Sequence, residues 1–92
     1  MQRMEKVLEK RLIREIHKLG GWCLKWWPIS FTGLPDRIVL LPGARISFVE
    51  VKSEGKKPNA RQTWVQNILP IFGFKVYWIS TDEQLNDYLN EL

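Results

Sequence analysis

Residues 33–52 read GLPDRIVLLPGARISFVEVK, and the folding of this stretch decides the rest of the chain. Two apolar runs flank Pro42-Gly43-Ala44, a turn-forming triplet. The pattern predicts strands over 36–41 and 45–53, closed into a hairpin by residues 42–44. A three-residue loop pairs Leu41 with Arg45, and every later pair carries numbers that sum to 86. Asp36 then stands opposite Glu50, with Cβ atoms about 4.5–5.5 Å apart on one face. Lys52, two residues beyond Glu50, shares that face. Ile38, Leu40, Ile46 and Phe48 complete it, so the charges gather at the end away from the turn. A slip of one residue would send Asp36 and Glu50 to opposite faces.

Two adjacent carboxylates repel. Either a pKa rises, or a divalent cation between them turns repulsion into coordination. A cation-bound water is a good nucleophile near neutral pH, and a phosphodiester could coordinate the same ion. Lys52 could stabilise developing negative charge or orient the water. These parts suit phosphodiester hydrolysis. A structural Asp-Lys-Glu cluster at a sheet edge is the competing reading.

Outward from the hairpin, Met4, Val7, Leu8, Leu12, Ile16 and Leu19 recur at helical spacing before Gly20-Gly21, which predicts a helix over about 3–19. A strand is expected over Trp22–Trp26 and a loop over 27–35. A charged loop over 54–58 leads to Asn59, an expected N-cap for a helix over about 60–72, shortened or kinked by Pro70. A strand over 74–80 and a last helix capped by Thr81, with Leu85, Tyr88, Leu89 and Leu92 on its apolar face, complete the order α-β-β-β-α-β-α. That order implies a single α/β domain over 1–92, with a central mixed sheet flanked by helices.

Composition narrows the chemistry. The 92 residues are 45% hydrophobic and 26% charged, as in a soluble globular domain. No apolar run is long enough to span a bilayer, and the first residues lack the apolar middle of a secretory signal, so a cytosolic location is expected. A single cysteine, Cys23, excludes an internal disulfide. With a single histidine, His17, a Cys/His zinc cage is excluded within one chain. Any metal must be held mainly by carboxylates, which points to Mg²⁺ or Mn²⁺. The net charge is +4, with four acidic and no basic residues over 80–92, so the basic excess lies nearer the hairpin. A polyanion such as DNA is the partner this suggests.

At Pro35-Asp36 and Glu50-Val51-Lys52 the chain resembles the PD-(D/E)xK nuclease superfamily. Over GLPDRIVLLPGARISFVEVKSEGKKPNARQ it is similar to the virus-type replication-repair nuclease (VRR-Nuc) family, through its G-x-PD-R start, PG turn, FVEVK strand and Gln62. The helix ending in GG and the GF-x-V-Y strand at 73–77 extend the likeness over nearly the whole chain. The resemblance implies a restriction-endonuclease-like core and a Mg²⁺- or Mn²⁺-dependent endodeoxyribonuclease. Asp36, Glu50 and the backbone carbonyl of Val51 would be metal ligands, Lys52 the catalytic lysine and Gln62 a supporting catalytic residue. Related junction-resolving enzymes also use a glutamate of the first helix. Glu9 is chosen here, with Glu5 and Glu15 as rivals. Stand-alone phage members are similar to Holliday junction resolvases and act as homodimers, so a four-way junction is the implied substrate. Cutting of flapped or linear DNA, and a non-catalytic nucleic-acid-binding module, are the alternatives.

Lys56, Lys57, Arg61 and Arg37 are expected to contact phosphates. Trp22, Trp26, Trp27 and Trp64 are expected in the core or a subunit interface, with base stacking by the first three as the alternative. His17 is read as a surface residue and Cys23 as a buried small hydrophobe.

Overall fold

The three-residue loop forms as read from the sequence. In the computed structural model, β2 (Arg37–Leu41) and β3 (Arg45–Val51) pair antiparallel, from Leu41 opposite Arg45 to Arg37 opposite Val49. The turn needs left-handed backbone twice, at Gly43 (φ 84°) and Ala44 (φ 60°). Glycine adopts it without steric cost, whereas Ala44 carries about 1–2 kcal/mol of strain. The structure describes residues 2–26 and 30–92, with side chains from residue 5 onward. The Met4 side chain, Trp27 and Pro28 lie outside the described residues.

The full order is α1 (Gln2–Lys18), β1 (Trp22–Lys25), β2, β3, α2 (Ala60–Ile68), β4 (Lys75–Ile79) and α3 (Asp82–Glu91). The strands form one sheet in the order β1-β2-β3-β4. The first three run antiparallel and β4 lies parallel to β3, which makes the sheet mixed. A parallel neighbour requires a crossover, and the 53–74 segment carrying α2 supplies it.

One face of the sheet carries the core. Leu8, Leu12 and Ile16 of α1 and Leu85 and Tyr88 of α3 pack with Cys23, Val39, Val49, Val51 and Ile79. The stripe on α1 is narrower than its sequence implies: Val7 and Leu19 are exposed, because Leu8, Leu12 and Ile16 at i, i+4, i+8 fill the contact. Tyr88 reaches Ser47 by a buried hydroxyl–hydroxyl hydrogen bond of 2.7 Å. Cys23 is buried, and burial pushes its thiol up to about 11, which makes it an inert packing group.

By register, the other face carries Trp22, Leu24, Ile38, Leu40, Ile46, Phe48 and Glu50. Trp26, Phe48 and Phe74 form a chain of ring contacts, with centroids 6.1 and 5.5 Å apart. Val65 and Leu69 of the α2 segment are buried outside the main core. Trp22, Leu24 and Ile46 stay exposed, so of the two places expected for Trp22, core or subunit interface, the core of this chain is not the one it takes: β1 is an edge strand and, among the described residues, this corner of the sheet is left open.

Helix limits follow from their caps. Asn59 accepts a hydrogen bond from the Gln62 N–H, and the Gln62 side chain accepts one from the Asn59 N–H, a reciprocal capping box. Pro70 ends α2 early: the helix stops at Ile68, short of the expected 72. Thr81 caps α3 through the Gln84 N–H, as expected.

Candidate active site

The end of the hairpin away from the turn gathers the charges. Asp36 lies one step beyond the last β2–β3 pair, and its backbone N–H donates to Glu50 Oε1 at 3.1 Å. Lys52 Nζ lies 3.1 Å from Glu50 Oε2. Each oxygen of Glu50 therefore has a partner, which offsets part of the cost of burying a carboxylate with 5% residue exposure. The proline of PD delivers Asp36 to this place. Pro35 is fully buried and its carbonyl accepts from the Trp26 indole N–H at 2.8 Å, while the Asp36 carbonyl accepts from the Trp26 backbone N–H.

Burial and the neighbouring charge of Glu9 raise the Asp36 pKa, against the pull of Lys25, Arg37 and Lys52. Burial and the charge of Asp36 raise the Glu50 pKa, against Lys52 and the Asp36 N–H. Burial alone would lower the Lys52 pKa, but its hydrogen bond and charge pairing with Glu50 outweigh that and raise it, with Glu5 and Asp36 adding to the same effect. Two carboxylates thus share more negative charge than one lysine offsets.

The helix-1 glutamates divide. Glu9 accepts from Arg37 through both Nε and Nη2, each at 2.9 Å, and its charge reaches Asp36. Glu5 accepts from the Ser53 backbone N–H at 3.0 Å and from the Ser53 hydroxyl at 3.2 Å, and its charge reaches Lys52. Four residues apart on one helix face, they bracket the hairpin end from two sides. Glu15 pairs with Lys18 and Arg14 instead. Arg37, expected on phosphate, has its guanidinium largely enclosed by Glu9 and the Cys23 carbonyl.

Val51 ends β3 with its side chain in the core. The Lys52 N–H turns toward β4, where it donates to the Ile79 carbonyl at 2.9 Å. Alternation along the strand then turns the Val51 carbonyl toward β2, past the point where the β2 ladder ends. Gln62 sits in the first turn of α2 with its carbonyl engaged by Asn59. Lys56 and Lys57 are exposed on the loop between β3 and α2. Arg61 donates from Nε to the Thr32 carbonyl at 3.0 Å.

The contact of Glu5 with Ser53 and the partners of Arg61 were absent from the sequence reading. The i, i+4 spacing of Glu5 and Glu9 hinted at the first; no local signal marks the second.

Among the described residues, no three His, Cys, Asp or Glu side chains close on one point. The oxygen donors at this hairpin end are hard: the carboxylates of Asp36 and Glu50 and the carbonyl at the end of β3. They fit Mg²⁺ or Mn²⁺, because such ions take one or two carboxylates and complete their shell with water and phosphate.

No protein-family model matches the sequence. A curated relative, "Putative nuclease p44" of Acyrthosiphon pisum secondary endosymbiont phage 1, is 43% identical over 58 residues, which are 63% of this chain and 62% of that protein. A solved structure of a "VRR_NUC domain" superposes with a TM-score of 0.87 at 28% identity, over 95% of each chain. Its likeness extends to the element order and the mixed four-stranded sheet. Over nearly its whole length the chain is thus similar to a VRR_NUC domain in fold, and over 58 residues to a phage nuclease.

Proposed function

We propose that this chain is a divalent-cation-dependent endodeoxyribonuclease that hydrolyses phosphodiester bonds in branched DNA, four-way junctions foremost, as a homodimer in the cytosol. The observation that carries the proposal is the convergence of Asp36, Glu50 and Lys52 at one hairpin end, in a chain similar to a VRR_NUC domain.

Asp36, Glu50 and the Val51 carbonyl would hold the cation, Mg²⁺ or Mn²⁺. When bound, the ion would supply a water of lowered pKa and neutralise phosphate charge. Lys52, protonated beside Glu50, stabilises negative charge developing on the phosphate; its raised pKa suits this role rather than proton abstraction. Glu5 fixes Ser53, next to Lys52, and so limits where the ammonium can reach. Gln62 is proposed as a supporting residue at the start of α2, and Lys56, Lys57 and Arg61 as phosphate contacts. Arg37 serves this reading mainly by orienting Glu9.

The dimer rests on exposed apolar side chains. Trp22, Leu24 and Ile46 lie together on the uncovered sheet face, and a second copy burying them would gain on the order of 25 cal/mol for each Å² of apolar surface. Two sites related by a two-fold axis suit a four-way junction, which needs two symmetric cuts. No helix among the described residues is long and apolar enough to cross a membrane.

The test is incubation of the purified chain with junction, flap and linear DNA in Mg²⁺, Mn²⁺ or EDTA, with its mass read by light scattering. Paired nicks in junctions that need the cation, lost in Asp36→Ala, are expected. Equal cutting of linear duplex would overturn the junction reading. No cation-dependent cleavage of any substrate would overturn the nuclease reading.

A further inference from the structure

Away from the carboxylates, Arg61 is held between two aromatic rings. Its guanidinium carbon lies 4.6 Å from the Phe31 ring centroid and 4.7 Å from that of Trp64. The Nε–H bond to the Thr32 carbonyl anchors the group, and Gly33 permits the close approach. A Cβ on Gly33 would meet Arg61 Cγ at 2.8 Å and the Arg61 carbonyl at 3.0 Å. The stack is therefore built into the fold, yet Phe31 is 42% and Trp64 49% exposed. Beside it opens a pocket of about 190 Å³ lined by Phe31, Trp64, Val65, Ile68, Leu69 and Phe72. Every lining side chain is apolar.

The segment that supplies most of this pocket is basic. Residues 55–81 contain Lys56, Lys57, Arg61 and Lys75 and no aspartate or glutamate, so this segment carries a net +4, the whole net charge of the chain. An apolar slot with an aromatic wall, a stacked guanidinium and a basic parent segment matches a flat ring attached to an anionic backbone. A second copy seated here about a two-fold axis would set Arg61 against its own mate, which the charge disfavours. The stack's residues also flank the carboxylate site along the chain. Phe31 lies five residues before Asp36, and Arg61 nine after Lys52.

We infer that the Phe31–Arg61–Trp64 stack and its pocket form a subsite for one unpaired nucleobase of the DNA substrate. The inference rests on the nuclease reading and deepens it, since it names an unpaired base near a branch as part of what the chain recognises. The pocket lining is apolar and the Arg61 guanidinium is stacked between the two rings, so recognition is mainly by stacking, with little dependence on base identity.

The experiment uses the full chain in EDTA, so that binding is separated from cleavage. The probe is a branched DNA with 2-aminopurine at an unpaired position beside the branch, compared with a fully paired duplex of the same length. Anisotropy reports affinity and 2-aminopurine quenching reports stacking. The unpaired-base DNA is expected to quench and to bind about 10-fold tighter than the duplex. Trp64→Ala and Phe31→Ala should abolish the quench and the preference while duplex affinity stays within about two-fold, and Trp64→Phe should retain both. Both positions are exposed, and circular dichroism confirms folding. An unchanged preference in both alanine variants would overturn the subsite, as would a change of solution mass with the preference intact, which would make the patch a subunit interface. Cation-dependent cleavage by the unmodified chain is measured in parallel: if it persists while the preference does not depend on Trp64 or Phe31, only the subsite fails.

Discussion

Replacing Asp36 with asparagine should stabilise the cation-free protein while removing its response to Mg²⁺. Opposed residues put their Cβ atoms about 5 Å apart. Two charges at that distance repel by about 3 kcal/mol at an effective dielectric of 20. Lys52, 3.1 Å from Glu50, offsets much of this, and Asp36 is only half-buried, so a net gain of about 1 kcal/mol is expected. For a chain of this size that is a rise in Tm of about 4–8 °C. The pH dependence has a definite sign. Both carboxylates titrate above their ordinary values in the folded state, so the folded chain holds more protons than the unfolded one between the two values. Their stabilising contribution is present in acid and is lost as pH rises through the raised pKa values. The advantage of Asp36→Asn should therefore be full at neutral pH and vanish below the ordinary carboxylate range. Urea titrations in EDTA at several pH values, repeated with Mg²⁺, measure it. Adding Mg²⁺ should raise the stability of the unmodified chain in proportion to the logarithm of ion concentration and leave the variant flat. A variant less stable than the unmodified chain in EDTA, or equally stabilised by Mg²⁺, would refute the view of an under-compensated carboxylate pair built to hold a cation.

Lys52→Ala should abolish cleavage but change DNA affinity by less than a few-fold, because affinity comes mainly from phosphate contacts elsewhere; filter binding and a cleavage assay separate the two. Glu5→Gln should lower kcat more than it raises KM, with a stability loss of about 1–2 kcal/mol from the weakened Ser53 contacts, read by single-turnover kinetics and urea denaturation. Gly33→Ala should cost about 2 kcal/mol or more, since φ is 92° there and the new methyl group would meet Arg61; thermal denaturation checks it. Asn59→Ala should cost about 1 kcal/mol through loss of the α2 cap, measurable in the same way.

The carboxylate pair and the helix caps were legible in the chain because they depend on short-range rules. A three-residue loop leaves one register for the 36–52 hairpin, and that register alone aligns Asp36 with Glu50 and puts Lys52 on their face. Asn59 and Thr81 cap helices by bonding to groups three residues away, and Pro70 stops α2 by lacking an N–H. Apolar periodicity was a coarser guide: it marked the core stripe of α1 but included Val7 and Leu19, which are exposed, Leu19 lying just past the end of α1.

What the tertiary structure decided are the meetings between distant segments. Glu9 with Arg37 spans 28 positions, Arg61 with Thr32 spans 29 and Glu5 with Ser53 spans 48. A glutamate on a helix carries no mark of which strand end it will meet, since that follows from how α1 seats Leu8, Leu12 and Ile16 against the sheet. Arg37 reads as a surface cation until Glu9 encloses it, and Arg61 reads the same until Phe31 and Trp64 close on either side. Local rules set the strand that carries the carboxylates, because backbone geometry repeats every two residues. Packing set the company they keep, because only the folded chain brings those side chains within reach.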